Sequence, residues 1–158
     1  MCLMVWIGTE RPVSPILCAV DPHVATCYCA VREIAADEPA RGRFTSPHVT
    51  YVGSHEGCGC GFNSSQLEGE GFTDVADAMA LIDAMRDEER DEFLAQKHSR
   101  ENLVALLTAA LPYGKVDMYV CWAGDEDGPP DRVEGIEVRW LTERLAPLQE
   151  RVKYTVLG

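Results

Sequence analysis

The chain has 158 residues, 46% of them hydrophobic and 25% charged, a composition typical of globular domains and unlike that of disordered or collagen-like chains. At this length one hydrophobic core buries roughly 70% of the surface that the unfolded chain exposes. We therefore predict a single domain over residues 1–158. The 26 acidic residues outnumber the 14 basic ones, and the net charge of -12 opposes binding to nucleic acid or to an anionic membrane. Neither partner is predicted, whereas self-association stays open.

The cysteines and the opening segment indicate the compartment. No apolar run approaches the roughly 18 residues of a membrane span, and the opening MCLMVWIGTERP has no basic leader before its apolar stretch. Seven cysteines are an odd number, and a chain of this size does not need a disulfide framework. We predict a cytoplasmic protein with reduced thiols. Each cysteine is then a core residue, a metal ligand or a reactive thiol.

Three apolar runs near the start of the chain predict strands. Residues 3–7 are apolar on both faces, as in a central strand covered on both sides. Residues 24–32 alternate, and residues 48–52 are β-branched and aromatic. The predicted core face of the second strand consists of Ala25, Cys27, Cys29 and Val31.

Two helical segments follow. From Thr73 an apolar stripe recurs at helical spacing, and the charged run RDEERDEF after it predicts a solvated helical face. Ser99 is the predicted N-cap of a further helix that ends near Pro112 and Gly114. The apolar stripe of the first helix consists of Val75, Met79, Ile82 and Met85, and that of the second of Leu103, Leu106, Leu107, Ala110 and Leu111.

The last third of the chain returns to strands. Residues 116–122 alternate, with Asp117, Tyr119 and Cys121 on the more polar face. A half-exposed strand is predicted at 136–140, a short helix around 142–145 and a final strand at 151–157. Because helices and strands are segregated, we predict an α+β fold with a mixed or antiparallel sheet of about five to six strands and two to three packed helices.

The chemically suggestive segment is the loop GSHEGCGCGFNSS. It holds His55, Cys58 and Cys60, and imidazole and thiolate are the ligands that zinc and copper prefer. Structural zinc sites usually pair two CxxC knuckles, whereas this loop has one CxC and no second knuckle, so a closed tetrahedral site needs a ligand from elsewhere. Cys121 is the preferred partner, with His48 and Cys2 as alternatives. Three protein ligands alone would leave a position for water or substrate.

Two other interpretations of this loop stay open. In a thiol-dependent enzyme or redox protein, the imidazole of His55 or His48 and the N–H groups of a glycine-rich turn would stabilise a thiolate at Cys58 or Cys60. In a non-catalytic interaction domain, the glycines form a tight turn and the cysteines pack as small hydrophobic residues. The dinucleotide-binding GxGxxG after a strand and the Walker A loop are both missing from the sequence, which argues against nucleotide enzymes of those classes.

Three segments carry a family resemblance. MCLMVWIGTERP, SPHVTYVGSHEGCGCGF and VDMYVCWAGDEDGPP together span about a quarter of the chain. They resemble an uncharacterised bacterial protein family that has an N-terminal MCL and a GSHxGCGCGF motif. The resemblance implies a bacterial, cytosolic setting. It implies no activity, cofactor or catalytic residue for any position.

Overall fold

The computed structural model describes residues 1–16, 28–63, 74–144 and 148–158. Its strands are β1 (Leu3–Thr9), β2 (Ala30–Glu33), β3 (His48–Gly53), β4 (Asp117–Trp122), β5 (Arg132–Glu137) and β6 (Val152–Leu157). These six strands form one sheet in the order β2-β3-β1-β4-β6-β5. All neighbouring strands are antiparallel except β5 and β6, which are parallel. The predicted α+β class with a mixed sheet is confirmed.

Three α-helices occur within the described ranges, namely α1 (Val75–Ala80), α2 (Asp87–Ala110) and α3 (Trp140–Glu143). Helix α1 begins where Asp74 accepts a hydrogen bond of 2.8 Å from the backbone N of Asp77, the usual role of an N-cap aspartate. Helix α2 begins with three acidic residues, which suit the positive end of the helix dipole. Within the part of the chain described, no helix is long and apolar enough to cross a membrane.

The predicted helix start at Ser99 is wrong. Ser99 lies inside α2 and is fully buried, with 0% of its surface exposed. Its hydroxyl contacts the His55 backbone and imidazole, so the side chain serves a tertiary contact and does not cap a helix. The charged run and the apolar face around Leu103 therefore belong to one helix. The helical path is interrupted earlier, between Ala80 and Asp87.

Two predicted strands have other bounds in the structure. Of the strand predicted at 24–32, residues 24–27 lie outside the described residues, and β2 begins at Ala30. The strand predicted at 136–140 lies earlier, because β5 pairs along its length with β6. Trp140 instead begins α3, which starts two residues before the short helix predicted around 142–145 and overlaps it, and residue 145 lies outside the described residues.

The sheet has apolar cores on both faces. Leu3, Val5 and Ile7 of β1 belong to the core that includes Leu103 and Leu107 of α2. The opposite face forms a smaller core, whose buried members are Trp6, Ile34, Ala40, Phe44, Val49, Tyr119 and Cys121. This arrangement agrees with the prediction that β1 is a central strand.

The polar face predicted for β4 is not exposed. Asp117, Tyr119 and Cys121 each have 0% relative exposure. Phe44 belongs to the core that covers Tyr119 and Cys121. The alternating residues of β4 thus face two different buried cores, and neither face of the strand is exposed to solvent.

Candidate functional site

Ser54 organises the loop that follows β3. Its hydroxyl donates to the carbonyl of Cys58 at 2.6 Å and accepts from the backbone N of Glu56 at 3.2 Å and of Gly61 at 3.1 Å. Its own backbone N also donates to the Cys58 carbonyl, at 2.8 Å. With Ser54 only 2% exposed, these bonds fold the loop around one buried hydroxyl. The backbone of the loop from residue 54 to residue 61 is thereby held in a fixed arrangement.

Glycine is required at two positions of the loop. Gly57 has a φ of 76°, in the left-handed region that favours glycine. A Cβ on Gly61 would lie 2.4 Å from Ser54 Oγ and 2.5 Å from Cε1 of His55. The missing side chain at Gly61 therefore leaves the space in which the imidazole sits. This contact explains part of the glycine richness that the sequence shows.

Two thiols and a carboxylate converge on one side of the loop. The ligand atoms of Glu56, Cys58 and Cys60 all lie within 4.8 Å of one another. Cys60 Sγ accepts a hydrogen bond of 3.1 Å from the backbone N of Leu3, which ties the thiol to β1. Cys58 Sγ lies 3.8 Å from Glu56 Oε2, where its S–H can donate. Glu56 is exposed and both cysteines are half-buried, so an ion could reach this group from solvent.

The surroundings of this group disfavour negative charge on sulfur. Burial is the main cause that raises the pKa of Cys58 to about 12, and the thiols of Cys60 and Cys2 add to it, against a lowering hydrogen bond with the Cys60 backbone. Burial and the same three thiols raise the pKa of Tyr51 to about 12. Cys2 is exposed and lies close enough to interact electrostatically with Cys58. A cation would relieve the penalty on the thiolate form.

His55 belongs to a neighbouring group of side chains. Its Nδ1 lies 2.9 Å from Ser99 Oγ, and its backbone N donates to the same oxygen at 3.2 Å. Its Nε2 lies 3.4 Å from Glu92 Oε1, an ion-pair distance without hydrogen-bond alignment, so this buried nitrogen has no hydrogen-bond partner. The ligand atoms of His55, Glu56 and Glu92 also lie within 4.8 Å of one another. Glu56 is common to both groups.

Ser99, His55 and Glu92 have the residue types of a hydrolase triad, but not its accessibility. Ser99 has 0% exposure, and its Oγ already accepts a hydrogen bond from the His55 backbone. A nucleophilic serine must reach the substrate carbonyl. Ser99 is therefore a residue that orients the imidazole, and acyl transfer by this group is not supported.

Cys121 and His48, the other predicted metal ligands, lie away from the loop cysteines. Cys121 pairs with Met4 in the sheet and faces the smaller core, whereas Cys60 packs against the larger core on the opposite face. Burial raises the pKa of the Cys121 thiol to about 12. His48 is at the opposite end of β3 from the loop and pairs with Glu33, with 3.1 Å between Nδ1 and Oε1. The structure brings Cys58 and Cys60 together, and it places His55 with Glu92.

Glu56 and Glu92 are site carboxylates that the sequence analysis did not predict as ligands, and Glu92 is the one that comes from outside the loop. It lies in the charged run, which predicts a solvated face. Its spacing to Gln96 and Ser99, four and seven residues further along α2, places all three on one side of the helix. Gln96 Nε2 donates to Glu92 Oε1 at 2.7 Å. This polar stripe was the one available signal of a buried polar contact.

No protein-family model, curated protein or solved structure significantly matches the chain. Function therefore has to be inferred from the chemistry of the loop and the residues around it.

The close contact at Gly61 leads to a stability prediction. We expect Gly61→Ala to lower the free energy of unfolding by about 1–3 kcal/mol, the usual cost of overpacking, because the new methyl would displace the imidazole or the Ser54 hydroxyl. Gly42→Ala is the matched control, since a Cβ there has nothing within 4 Å. Urea unfolding of both variants measures the difference. Equal stabilities of the two variants would contradict the contact.

Proposed function

We propose that the protein binds a zinc ion through Cys58, Cys60 and Glu56. The observation that carries the proposal is the convergence of two sulfur atoms and a carboxylate oxygen within 4.8 Å. Zinc accepts thiolate and carboxylate ligands together, whereas Cu(I) selects soft sulfur ligands. With zinc–sulfur bonds of about 2.3 Å, two thiolates on one tetrahedral ion lie roughly 3.8 Å apart, so small side-chain rotations close the site.

The protonation state of the Cys58 thiol supports binding of a cation and not a role as a free nucleophile. With its pKa raised to about 12, Cys58 carries its proton at neutral pH in the metal-free protein. A metal ion displaces that proton and supplies the missing positive charge, so affinity should fall as the pH is lowered. The same raised pKa opposes a nucleophilic role for Cys58, since the thiolate is the reacting form.

Three protein ligands leave one tetrahedral position for a further group. Of the three partners considered from the sequence, Cys2 is the one whose charge affects Cys58. Cys2 is exposed and can turn toward the ion. Cys2 or a water molecule completes the shell in our proposal. The proposed setting is the bacterial cytoplasm, where these thiols stay reduced.

Cobalt substitution tests this function, because Co²⁺ bound to thiolate gives a sulfur-to-metal charge-transfer band. We expect the wild-type protein, purified untagged and without oxygen, to retain zinc and to show this band when cobalt replaces it. The Cys58→Ser, Cys60→Ser double variant should lose the band, because hydroxyl groups are poor ligands for these ions. Competition with a chromophoric chelator at several pH values gives the affinity.

Cys121→Ala is the matched control. It removes a thiol that the structure places on the other face of the sheet, so the band should be retained. A wild-type protein without the band, or a double variant that keeps it, would overturn the proposed function. Loss of the band in Cys121→Ala with an intact fold would restore the ligand set preferred from the sequence.

A further inference from the structure

We propose a second cation site beside the thiols, formed by His55, Glu56 and Glu92. It takes a divalent ion of borderline or hard character, such as Mn²⁺, Fe²⁺ or Zn²⁺, because its donors are one imidazole nitrogen and carboxylate oxygens. These donor atoms lie within 4.8 Å of one another. The site depends on the proposed zinc site only through the shared carboxylate of Glu56.

The first argument is the state of the imidazole. The side chain of His55 is 13% exposed, and its Nε2 is buried without a hydrogen-bond partner. A buried polar atom of this kind requires an explanation, and an ion is one of the usual ones. Nε2 faces Glu92 Oε1 at 3.4 Å. The imidazole nitrogen and the carboxylate oxygen are thus close enough to bind the same ion.

The second argument is that both ligands are already oriented by other residues. The other ring nitrogen of His55, Nδ1, is 2.9 Å from Ser99 Oγ, and Gly61 leaves room for the ring. Glu92 Oε1 is held by Gln96 Nε2 at 2.7 Å. Metal-binding histidines and carboxylates usually have such outer partners, which fix their direction before the ion arrives.

The third argument is electrostatic. Among the ion pairs of the described residues, Glu56 takes part in none and Glu92 pairs only with His55. Two carboxylates therefore meet beside an imidazole ring in a chain of net charge -12. This arrangement attracts a divalent cation and repels anions.

Glu56 gives the two sites a defined relation. A carboxylate has two oxygens and can bind one ion with each, as in two-metal centres whose ions are about 3.5–4 Å apart. The ion on the cysteine side is held by sulfur and is suited to a structural role. The ion on the His55 side has three protein ligands and keeps positions open for water or for a substrate oxygen.

Mn²⁺ distinguishes the two sites, because it prefers oxygen and nitrogen ligands to thiolates. We expect the wild-type protein to bind one Mn²⁺, measured by the loss of the free-ion electron paramagnetic resonance signal. Glu92→Gln should weaken Mn²⁺ binding at least about tenfold while keeping the cobalt–thiolate band. The double cysteine variant should lose that band and keep Mn²⁺ binding. Glu56→Gln should weaken both.

Glu88→Gln is the matched control, since it removes one exposed carboxylate from the same helix. Its Mn²⁺ affinity should equal that of the wild type. Thermal unfolding of each variant without metal verifies that the fold is intact. The second site is overturned if the wild type binds no Mn²⁺ or if Glu92→Gln binds it as tightly as Glu88→Gln does. An absent cobalt–thiolate band with Mn²⁺ binding retained would remove only the zinc proposal.

Discussion

Replacing Arg100 by methionine should lower the free energy of unfolding by about 3 kcal/mol, because it leaves buried carbonyls without donors. Arg100 is 4% exposed. Its Nε donates to the Phe62 carbonyl at 2.6 Å, and its Nη1 donates to the carbonyls of Leu141, at 3.4 Å, and Arg144. One side chain of α2 thereby joins the end of the site loop to α3. Methionine keeps the apolar stem and removes every donor.

Arg90→Met is the control for this prediction. Arg90 lies on the same helix and pairs at 2.8 Å with Asp87, whose side chain is 86% exposed. An exposed pair of this kind contributes less than about 1 kcal/mol. Urea unfolding followed by tryptophan fluorescence measures both variants. If Arg100→Met and Arg90→Met have equal stabilities, the three carbonyl contacts do not hold the loop and α3 together.

Asp117→Asn should also destabilise the protein, by about 3 kcal/mol, because it removes the negative partner of a buried ion pair. The Asp117 side chain has 0% exposure, and its Oδ2 lies 2.9 Å from Lys115 Nζ and 3.3 Å from Lys153 Nζ. Thr155 Oγ1 donates to Oδ1 at 3.1 Å. The side chain of Lys153 is only 14% exposed. It would then stay buried without its counter-charge.

Lys115→Gln separates the buried part of this network from the exposed part. The Lys115 side chain is 54% exposed, so its removal should cost less than about 1 kcal/mol. Equilibrium unfolding in urea at neutral pH compares the two variants. An effect of Asp117→Asn as small as that of Lys115→Gln would show that water screens the pair.

Local sequence patterns were sufficient to predict β1 and β3, which are neighbours in the sheet. The run predicted at residues 3–7 became β1, and the run predicted at 48–52 became β3, each within two residues of its observed end. Strand β1 is predictable because burial on both faces requires an uninterrupted apolar run, and β3 because β-branched and aromatic residues favour strands. The edge strand β5 was displaced because its bounds depend on pairing with β6, which begins 15 residues after β5 ends.

Helix α2 shows where local patterns fail. A serine after a charged run and before an apolar stripe has the composition of a helix start. In the fold that serine is buried inside α2, and the partner of its hydroxyl is His55, 44 residues away. The nearby sequence marks this contact only by the polar stripe of Glu92, Gln96 and Ser99. The sequence around Ser99 therefore does not distinguish a helix cap from a buried residue inside a helix.

The candidate site shows the same difference between local contacts, which the sequence predicts, and long-range contacts, which it does not. Cys58 and Cys60 are two residues apart, so their proximity could be predicted from spacing and from the glycines around them. Glu92 comes to His55 only because α2 packs beside the loop. Strand register separates Cys121 from the loop cysteines, since pairing with Met4 directs it to the smaller core. Strand register and the position of α2 depend on the whole fold, so a short motif cannot predict them.

Because β1 lies between β3 and β4 in the sheet, one of its two pairing partners is synthesised much later than the other. The last residue of β4, Trp122, follows the last residue of β1, Thr9, by more than two thirds of the chain. At about 5–20 residues per second, roughly 6 to 23 s separate the synthesis of the two strands. Hydrophobic collapse takes microseconds. The most apolar strand thus waits with one edge unpaired during this interval, when that edge can pair with another chain.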